Sequence, residues 1–435
     1  MVKKVHNWGI YPVIDADVIT VKYPELLPEI MEGRETLIAQ GNGRCYGDSS
    51  LNTTMLSTLA MNKIVAFDRA SGVITCQSGV LLSDILKVIV PCGYFLPVTP
   101  GTKFITVGGA IAADIHGKNH HTDGCFSSHI VTMDVMMHSG DIVSCNAHTN
   151  SDIFRNTCGG MGLTGIILQA TFTLKKIETS YITQKALKAK NLDIIMDYFS
   201  ANEQYTYSVA WIDCLAKGKD LGKSILMLGE HSTMAELNSD KQKNPLNVND
   251  NTRISIPFYF PSFTLNKWTI NAFNFLYYHK QFAEEQVSQI HYEPFFYPLD
   301  AVLHWNKIYG KSGFTQYQFV LPMEGSRQGL KDILTAIADS GEGSFLAVLK
   351  LFGEADNEAV MSFPSRGYTL ALDFKISPKV FRLLDKLDDI VLHHGGRLYL
   401  AKDVRMSKDF FHKTYQKIVQ RQRGFSSLQS DRLGI

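Results

Sequence analysis

The segment Gly41-Asn42-Gly43-Arg44-Cys45-Tyr46-Gly47-Asp48 constrains this chain more than any other. It follows a short apolar run, Thr36-Leu37-Ile38-Ala39, that reads as a strand ending at Gln40. Three glycines let backbone N–H groups turn inward and approach a diphosphate that side chains would otherwise block. A Rossmann loop also follows a strand, but it needs G-x-G-x-x-G and must open a helix. Here the spacing is G-x-G-x-x-x-G, and Asp48-Ser49-Ser50-Leu51-Asn52 drops into turn residues. Taken alone, the loop reads better as a tight turn than as a Rossmann cradle.

A second cluster changes that reading. Pro97-Val98-Thr99-Pro100-Gly101-Thr102 leads into Thr106-Val107-Gly108-Gly109-Ala110-Ile111-Ala112-Ala113-Asp114-Ile115-His116-Gly117-Lys118. Two adjacent glycines before an alanine-rich helical turn are expected to form a second backbone cradle. Two anion-type cradles in one domain suit a large ligand with a diphosphate in its middle. A third cluster, Gly159-Gly160-Met161-Gly162-Leu163-Thr164-Gly165, precedes a strand-like run to Leu174.

At 435 residues the chain is too long for one compact core, so two domains are expected. The 43 basic and 42 acidic residues make no electrostatic case for nucleic acid. Seven scattered cysteines without a C-x-x-C pair support neither zinc nor a redox dithiol, and point to free thiols in a reducing compartment. His120 and His121 lack a third ligand at fitting spacing, so no metal is expected. Behind Lys3-Lys4 there is no apolar signal-peptide core, and no uncharged apolar run approaches the roughly 20 residues of a membrane span. A cytoplasmic protein follows, with any membrane contact peripheral.

The pattern from about 35 to 177 is one of short strands, turns and brief helices. Ile64 to Phe67 with Val73 to Cys76, and Val131 to Met137 with Ile142-Val143, read as hairpins. Ser83 is expected to cap a helix running to Val90. The lysine-rich stretch 178–200 reads as an amphipathic helix at the domain boundary. Tyr207 to Trp211 and Gln316 to Leu321 read as strands; helices from Ser377-Pro378 to near Gly395 and from Ser407 to near Gly424 close the chain. Ile254 to His279 is crowded with aromatic residues, has Lys267 as its one formal charge, and keeps neither a helical nor a strand period for long. The expectation there is a mobile lid touching a membrane surface, rather than a single packed element.

The order GNGRCYGD, FDRASGVITCQSG, PVTPGT, TVGGAIAADIHGKNHH and GGMGLTGI resembles the vanillyl-alcohol-oxidase-type family of FAD-linked oxidases. Within it the chain resembles the branch that oxidises polyprenyl-phosphoryl-ribose, and segments around Trp211, Asp300, Gln318, Phe352 and Lys402 extend the likeness over nearly the whole chain. The resemblance implies an α+β fold: a two-subdomain FAD-binding domain over 1–177, completed by about 400–435, and a substrate domain over 178–399 whose antiparallel sheet covers the flavin. It implies that Gly41 to Asp48, Gly101 and Thr106 to Gly109 hold the diphosphate. Ala113, Asp114, Ile115, His116, Ile167 and Tyr399 would line the rest of the cofactor. Lys402 would sit against the flavin, and His116, Lys118, Trp211, Gln316 and Gln318 would face the sugar. Tyr46 joins Lys402, His116 and Lys118 in the expected catalytic group.

These assignments have a chemical sense. Reduced flavin carries negative charge, which a fixed cation such as Lys402 stabilises. His116 or Lys118 could polarise or deprotonate the attacked hydroxyl. Gln316 and Gln318 alternate on a strand and share a face, as side chains reading hydroxyls should. Trp211 reads evenly as core or sugar platform. Relatives that bond flavin covalently carry histidine where this chain has Arg44, so the FAD is expected to be non-covalent. Ala371 stands where the mycobacterial oxidases have cysteine, and Phe296 where a tyrosine is expected, so the pocket differs in detail. The implied reaction converts the ribose 2'-hydroxyl of a lipid-linked ribose to a 2'-keto sugar, which a short-chain reductase then takes on. An aldonolactone or alditol oxidase or dehydrogenase is the alternative.

Overall fold

A computed structural model of the protein describes residues 2–248, 254–261, 263–354 and 359–435. Both hairpins form, and they join one five-stranded antiparallel sheet. Its order is Ile64–Asp68, Val73–Gln77, Ile166–Thr173, Ile130–Met136, Ile142–Cys145. Helices Leu82–Ile89 and Val107–Ala112 cover this sheet, burying Ile85, Leu86, Val107 and Ile111 against Ile74 and Phe172. A second sheet runs Val2–Val5, Ile14–Thr20, Thr54–Ser57, Ile38–Gln40, with its last three strands parallel. The glycine loop leaves the edge strand of this sheet at Gln40.

The largest sheet has eight antiparallel strands in the order Glu285–His291, Tyr181–Ala189, Ser224–His231, Tyr207–Ile212, Ala347–Phe352, Gly367–Lys375, Phe314–Pro322, Arg397–Leu398. One face is apolar: Ala210, Leu349, Leu370, Leu372 and Phe319 pack with helices Leu192–Ala201, Met323–Ser340 and Pro378–His393. Register fixes the opposite face. Trp211 pairs with Val348, Val348 with Ala371, and Ala371 with Gln318. Lys350 pairs with Thr369 and Asp373 with Gln316. Period-two alternation therefore gathers Lys350, Asp373, Gln316 and Gln318 on one surface.

Residues 400–435 return to the N-terminal sheets. The Leu37 amide donates to Gly424 O at 2.9 Å, that of Ser426 to Leu37 O at 3.1 Å, and that of Leu428 to Leu51 O at 2.8 Å. Arg432 bridges Asp48 at 2.9 Å and Asp403 at 2.8 Å.

Four expectations are corrected. The 178–200 stretch is the strand Tyr181–Ala189 followed by the helix Leu192–Ala201, capped by Asn191; pairing on both sides of the strand overrides its lysine-rich helical composition. Ser83 is inside its helix rather than at the cap, because Leu82 and Ser83 donate their amides to Ile105 O and Lys103 O. The helix capped by Ser407 ends at Thr414, and a separate helix, Leu428–Leu433, starts from a capping box at Ser427. The aromatic segment contains the thirteen-residue helix Lys267–His279, which Asn266 caps through the amides of Trp268 and Thr269; Ser262, ahead of it, lies outside the described residues.

Candidate active site

The glycine loop is shaped by steric exclusion. A Cβ on Gly41 would lie 2.2 Å from Thr106 Oγ1, and one on Gly47 would lie 1.8 Å from Asp403 O. Gly43 adopts φ +56°, a left-handed conformation natural to glycine. Among the described residues, the backbone amides of Asn42, Gly43, Arg44 and Cys45 have no acceptor in the protein. Behind the loop, Asn7 Nδ2 donates to Gly47 O at 2.8 Å, and Asn7 Oδ1 accepts from Gln40 Nε2 at 2.9 Å and Ser50 Oγ at 3.1 Å. Asn7 is buried far from the motif in sequence, and no sequence signal marks it. The Arg44 guanidinium lies 3.9 Å over the Trp8 ring. Cys45 Sγ sits 3.3 Å from Ser50 Oγ.

The second cluster is not a second anion cradle. Val107 and Gly108 donate their amides to Val80 O at 2.9 Å and Ser78 O at 2.8 Å, and Gly109 donates to Thr106 Oγ1 at 3.1 Å. The amides of Val107, Gly108 and Gly109 are engaged within the protein, so this short helix braces the first loop instead of offering those amides to a ligand. Gly101 differs, since open space surrounds its Cβ position. Two carboxylates are likewise engaged. Asp48 pairs with Arg432, and Asp114, at φ +39°, accepts from the Ser127 amide and from Ser362 Oγ at 2.5 Å. Ile115 and Ile167 are buried, and Tyr399 donates its hydroxyl to Ala113 O at 2.8 Å.

His116 is buried between the rings of Phe352, Phe363 and Tyr399. The Gln318 amide donates to its Nε2 at 3.0 Å, leaving the ring proton on Nδ1, which has no partner. Burial, with Lys350 nearby, holds the ring neutral, well below the usual histidine range. Lys118 donates to Phe295 O and lies 4.4 Å over the Phe295 ring; burial and then Lys350 lower its pKa to about 7. Lys350 is lowered to about 7 by burial and then by Lys402. Lys402 Nζ lies 3.9 Å over the Tyr46 ring; burial lowers its pKa and Asp373 opposes that fall. Asp373 is buried, accepts from Gln316 Nε2 at 2.6 Å and Tyr309 OH at 3.4 Å, and has its pKa raised by burial. Burial also pushes the Tyr46 phenol well above its ordinary range.

Among the described residues, three half-buried lysines without an ion-paired carboxylate thus share one region. Lys350 and Asp373 escaped sequence reasoning, because on paper each is one residue of an alternating strand. Trp211 lies on the same sheet face, but three strands from Gln318, about 14 Å at the usual strand spacing. Its ring packs 4.7 Å from Tyr277, and its Nε1 donates to Phe345 O at 3.2 Å. It supports the aromatic helix and is not an open sugar platform. Phe296 is buried against Phe95 and Tyr207.

The residues fit FAD. Unpartnered amides in a loop closed to side chains suit a diphosphate, and half-buried lysines without ion pairs suit a ring that gains negative charge. An FAD binding domain model matches residues 27–146. The chain is 37% identical over 426 residues to the decaprenylphosphoryl-β-D-ribose oxidase of Mycolicibacterium smegmatis, covering 96% of this chain and 92% of that one. It is 28% identical to an uncharacterized protein in the mprA 5' region of Streptomyces coelicolor, over 77% of this chain and 92% of that one. The L-gulonolactone oxidase of Mus musculus is 27% identical over 31% of each chain. With such identity to the first of these along nearly the whole of both chains, the protein belongs to the decaprenylphosphoryl-β-D-ribose oxidase family and is an FAD-dependent oxidoreductase.

Proposed function

We propose that the protein oxidises the 2'-hydroxyl of a polyprenyl-phosphoryl-ribose to the 2'-keto sugar. The observation that carries this reading is the group Lys118, Lys350 and Lys402 beside Gln316 and Gln318, a cationic region lined with hydroxyl-reading amides. FAD, when bound non-covalently against the Gly41 to Asp48 loop, supplies the hydride acceptor. Lys402 is the fixed cation that favours charge on the reduced ring. Lys118 and Lys350, with pKa values of about 7, can each accept the hydroxyl proton as the C–H bond gives up its hydride. Tyr46 stays protonated and packs against the Lys402 cation. His116 positions Gln318, and its acceptor nitrogen is already engaged.

The keto product suits a short-chain reductase as the next enzyme, and a lipid-linked substrate calls for peripheral contact with the cytoplasmic face of a membrane. The aldonolactone or alditol alternative is weaker, since the lactone-oxidase likeness spans only about a third of the chain, 31% for the L-gulonolactone oxidase and 36% for a D-arabinono-1,4-lactone oxidase. The test is anaerobic bleaching of the bound flavin by a panel of substrates. Polyprenyl-phosphoryl-ribose should bleach it at low concentration and L-gulonolactone or an alditol should not; the opposite ranking overturns the reading.

A further inference from the structure

The helix Lys267–His279 is apolar on two sides: Ile270 is buried, and Phe273 and Tyr277 pack inward against Phe345 and Trp211. It buries Asn274 completely, with Nδ2 donating to Asp213 Oδ1 at 2.7 Å. It exposes Trp268 at 82%, Leu276 at 67% and Phe275 at 57%. Spacings of seven and eight residues put these three on one stripe, and an amphipathic helix in water turns such a stripe inward. The exposure continues on both sides of the helix through Phe258, Phe263 and Phe282, the last 96% exposed. Single exposed apolar residues need no explanation, but a run of large aromatic ones marks a surface that meets something apolar.

Charge selects what that is. From residue 251 to 283 the sequence has no Asp or Glu, while Lys267 and Lys280 stand at the two ends of the helix. Lys280 Nζ lies 3.6 Å over the Tyr277 ring, beside the stripe. Aromatic and leucine side chains bordered by lysines suit an apolar slab with an anionic surface. No helix among the described residues is long and apolar enough to cross a membrane. Under the first turn of the helix, a cavity of about 230 Å³ is lined by Leu265, Ile270 and Phe345 together with the polar Lys267 and Glu342, and ends on Tyr309 and Asp373. Asp373 in turn holds Gln316, so the cavity joins the underside of the exposed helix to the polar row of the sheet.

We infer that the exposed face of this helix, with Phe258, Phe263 and Phe282, is an interfacial docking surface for an anionic phospholipid bilayer. Seated there, the enzyme sets the mouth of the cavity beside the lipid that carries the sugar. The use of this surface rests on the lipid-linked substrate proposed above, but its existence is measured without any substrate.

The holoenzyme is mixed with sedimenting vesicles of phosphatidylcholine, or of phosphatidylcholine and phosphatidylglycerol in equal parts. It should pellet with the mixed vesicles, with tryptophan emission moving to the blue, because Trp268 is exposed whereas Trp211 and Trp305 are buried. The triple variant Trp268→Ser/Phe275→Ser/Leu276→Ser should lose at least about tenfold in vesicle partitioning while keeping its flavin absorbance. Phe282→Ser, outside the helix and nearly bare, should lower partitioning even if the triple variant folds poorly. No binding by the wild type, or unchanged binding by both variants, overturns the inference. So does a wild-type dimer that the triple variant converts to monomer with no change in vesicle binding, since a second copy then covers the face. Vesicle binding that persists when lipid-linked ribose fails to bleach the flavin overturns the substrate alone.

Discussion

Replacing Lys402 by methionine removes one charge and keeps an unbranched chain against Tyr46. The ammonium lies 3.9 Å over that ring, and Asp373 is the carboxylate that acts most strongly on it. A cation about 4 Å from a developing charge interacts by about 4 kcal/mol at an effective dielectric near 20. Measured losses for a single preorganised contact run from about 2.7 to 4 kcal/mol. The lower figure corresponds to a roughly hundredfold slower hydride transfer. If it falls wholly on the reduced state, the two-electron potential of bound FAD drops by about 60 mV. Stopped-flow bleaching under anaerobic conditions reads the rate, and a redox titration against a reference dye reads the potential. A merely structural lysine would move neither. Loss of the cation also lets the buried Asp373 carboxyl rise further in pKa and go neutral. Adding Asp373→Asn to the first substitution should therefore change the potential little. A potential within about 10 mV of wild type, with flavin still bound, refutes the assignment of Lys402 to the flavin.

Acid precipitation should leave all the FAD in the supernatant, since Arg44 offers no group for a flavin bond; yellow pellets contradict this. Gly47→Ala drives a methyl into Asp403 O and should cost about 3 kcal/mol or more in a thermal or urea melt. Gly101→Ala meets open space and should leave the melt unchanged, so a drop in FAD affinity there would report contact with the ligand. The last prediction concerns protons. Lys118 and Lys350 fall from 10.5 to about 7 in the folded protein. Above pH 7 the unfolded chain binds more protons than the folded one, so these two lysines make stability rise as pH climbs from about 7 towards 10.5. An anionic substrate favours the charged form of whichever of the two does not serve as the base. Its binding at pH 8 should take up protons and weaken as pH increases, as calorimetry in buffers of different ionisation enthalpy can show; binding without proton uptake would contradict the placement of the substrate anion beside these lysines.

The parts of this protein that were legible in its sequence are those whose geometry is local. The turn at Gly72, the Ser377-Pro378 helix start and the tight Gly41 to Asp48 loop each follow from a few adjacent residues. Partners distant in the chain were not legible. Asn7 braces Gly47 from forty residues away, and nothing around it resembles a motif. Lys350 and Asp373 belong to the site only because three strands pair in one register. Tyr181–Ala189 carries helix-forming residues and is a strand because neighbours on both sides pair with it. Lys267–His279 hid for another reason. Apolar residues lie on its outer side as well as its inner one, so the single-stripe period by which a helix is sought is blurred.

The clasp between Arg432 and Asp48 joins residues 384 positions apart in the chain. At synthesis speeds of about 5–20 residues per second, the ribosome emits the glycine loop some 20 to 80 seconds before the arginine that fastens it. Through that interval Asp48 has no cation, and the carbonyl of Asp403 against which Gly47 seats does not yet exist. The seat of the glycine loop is therefore completed late in the making of this chain, by residues that emerge long after the loop itself.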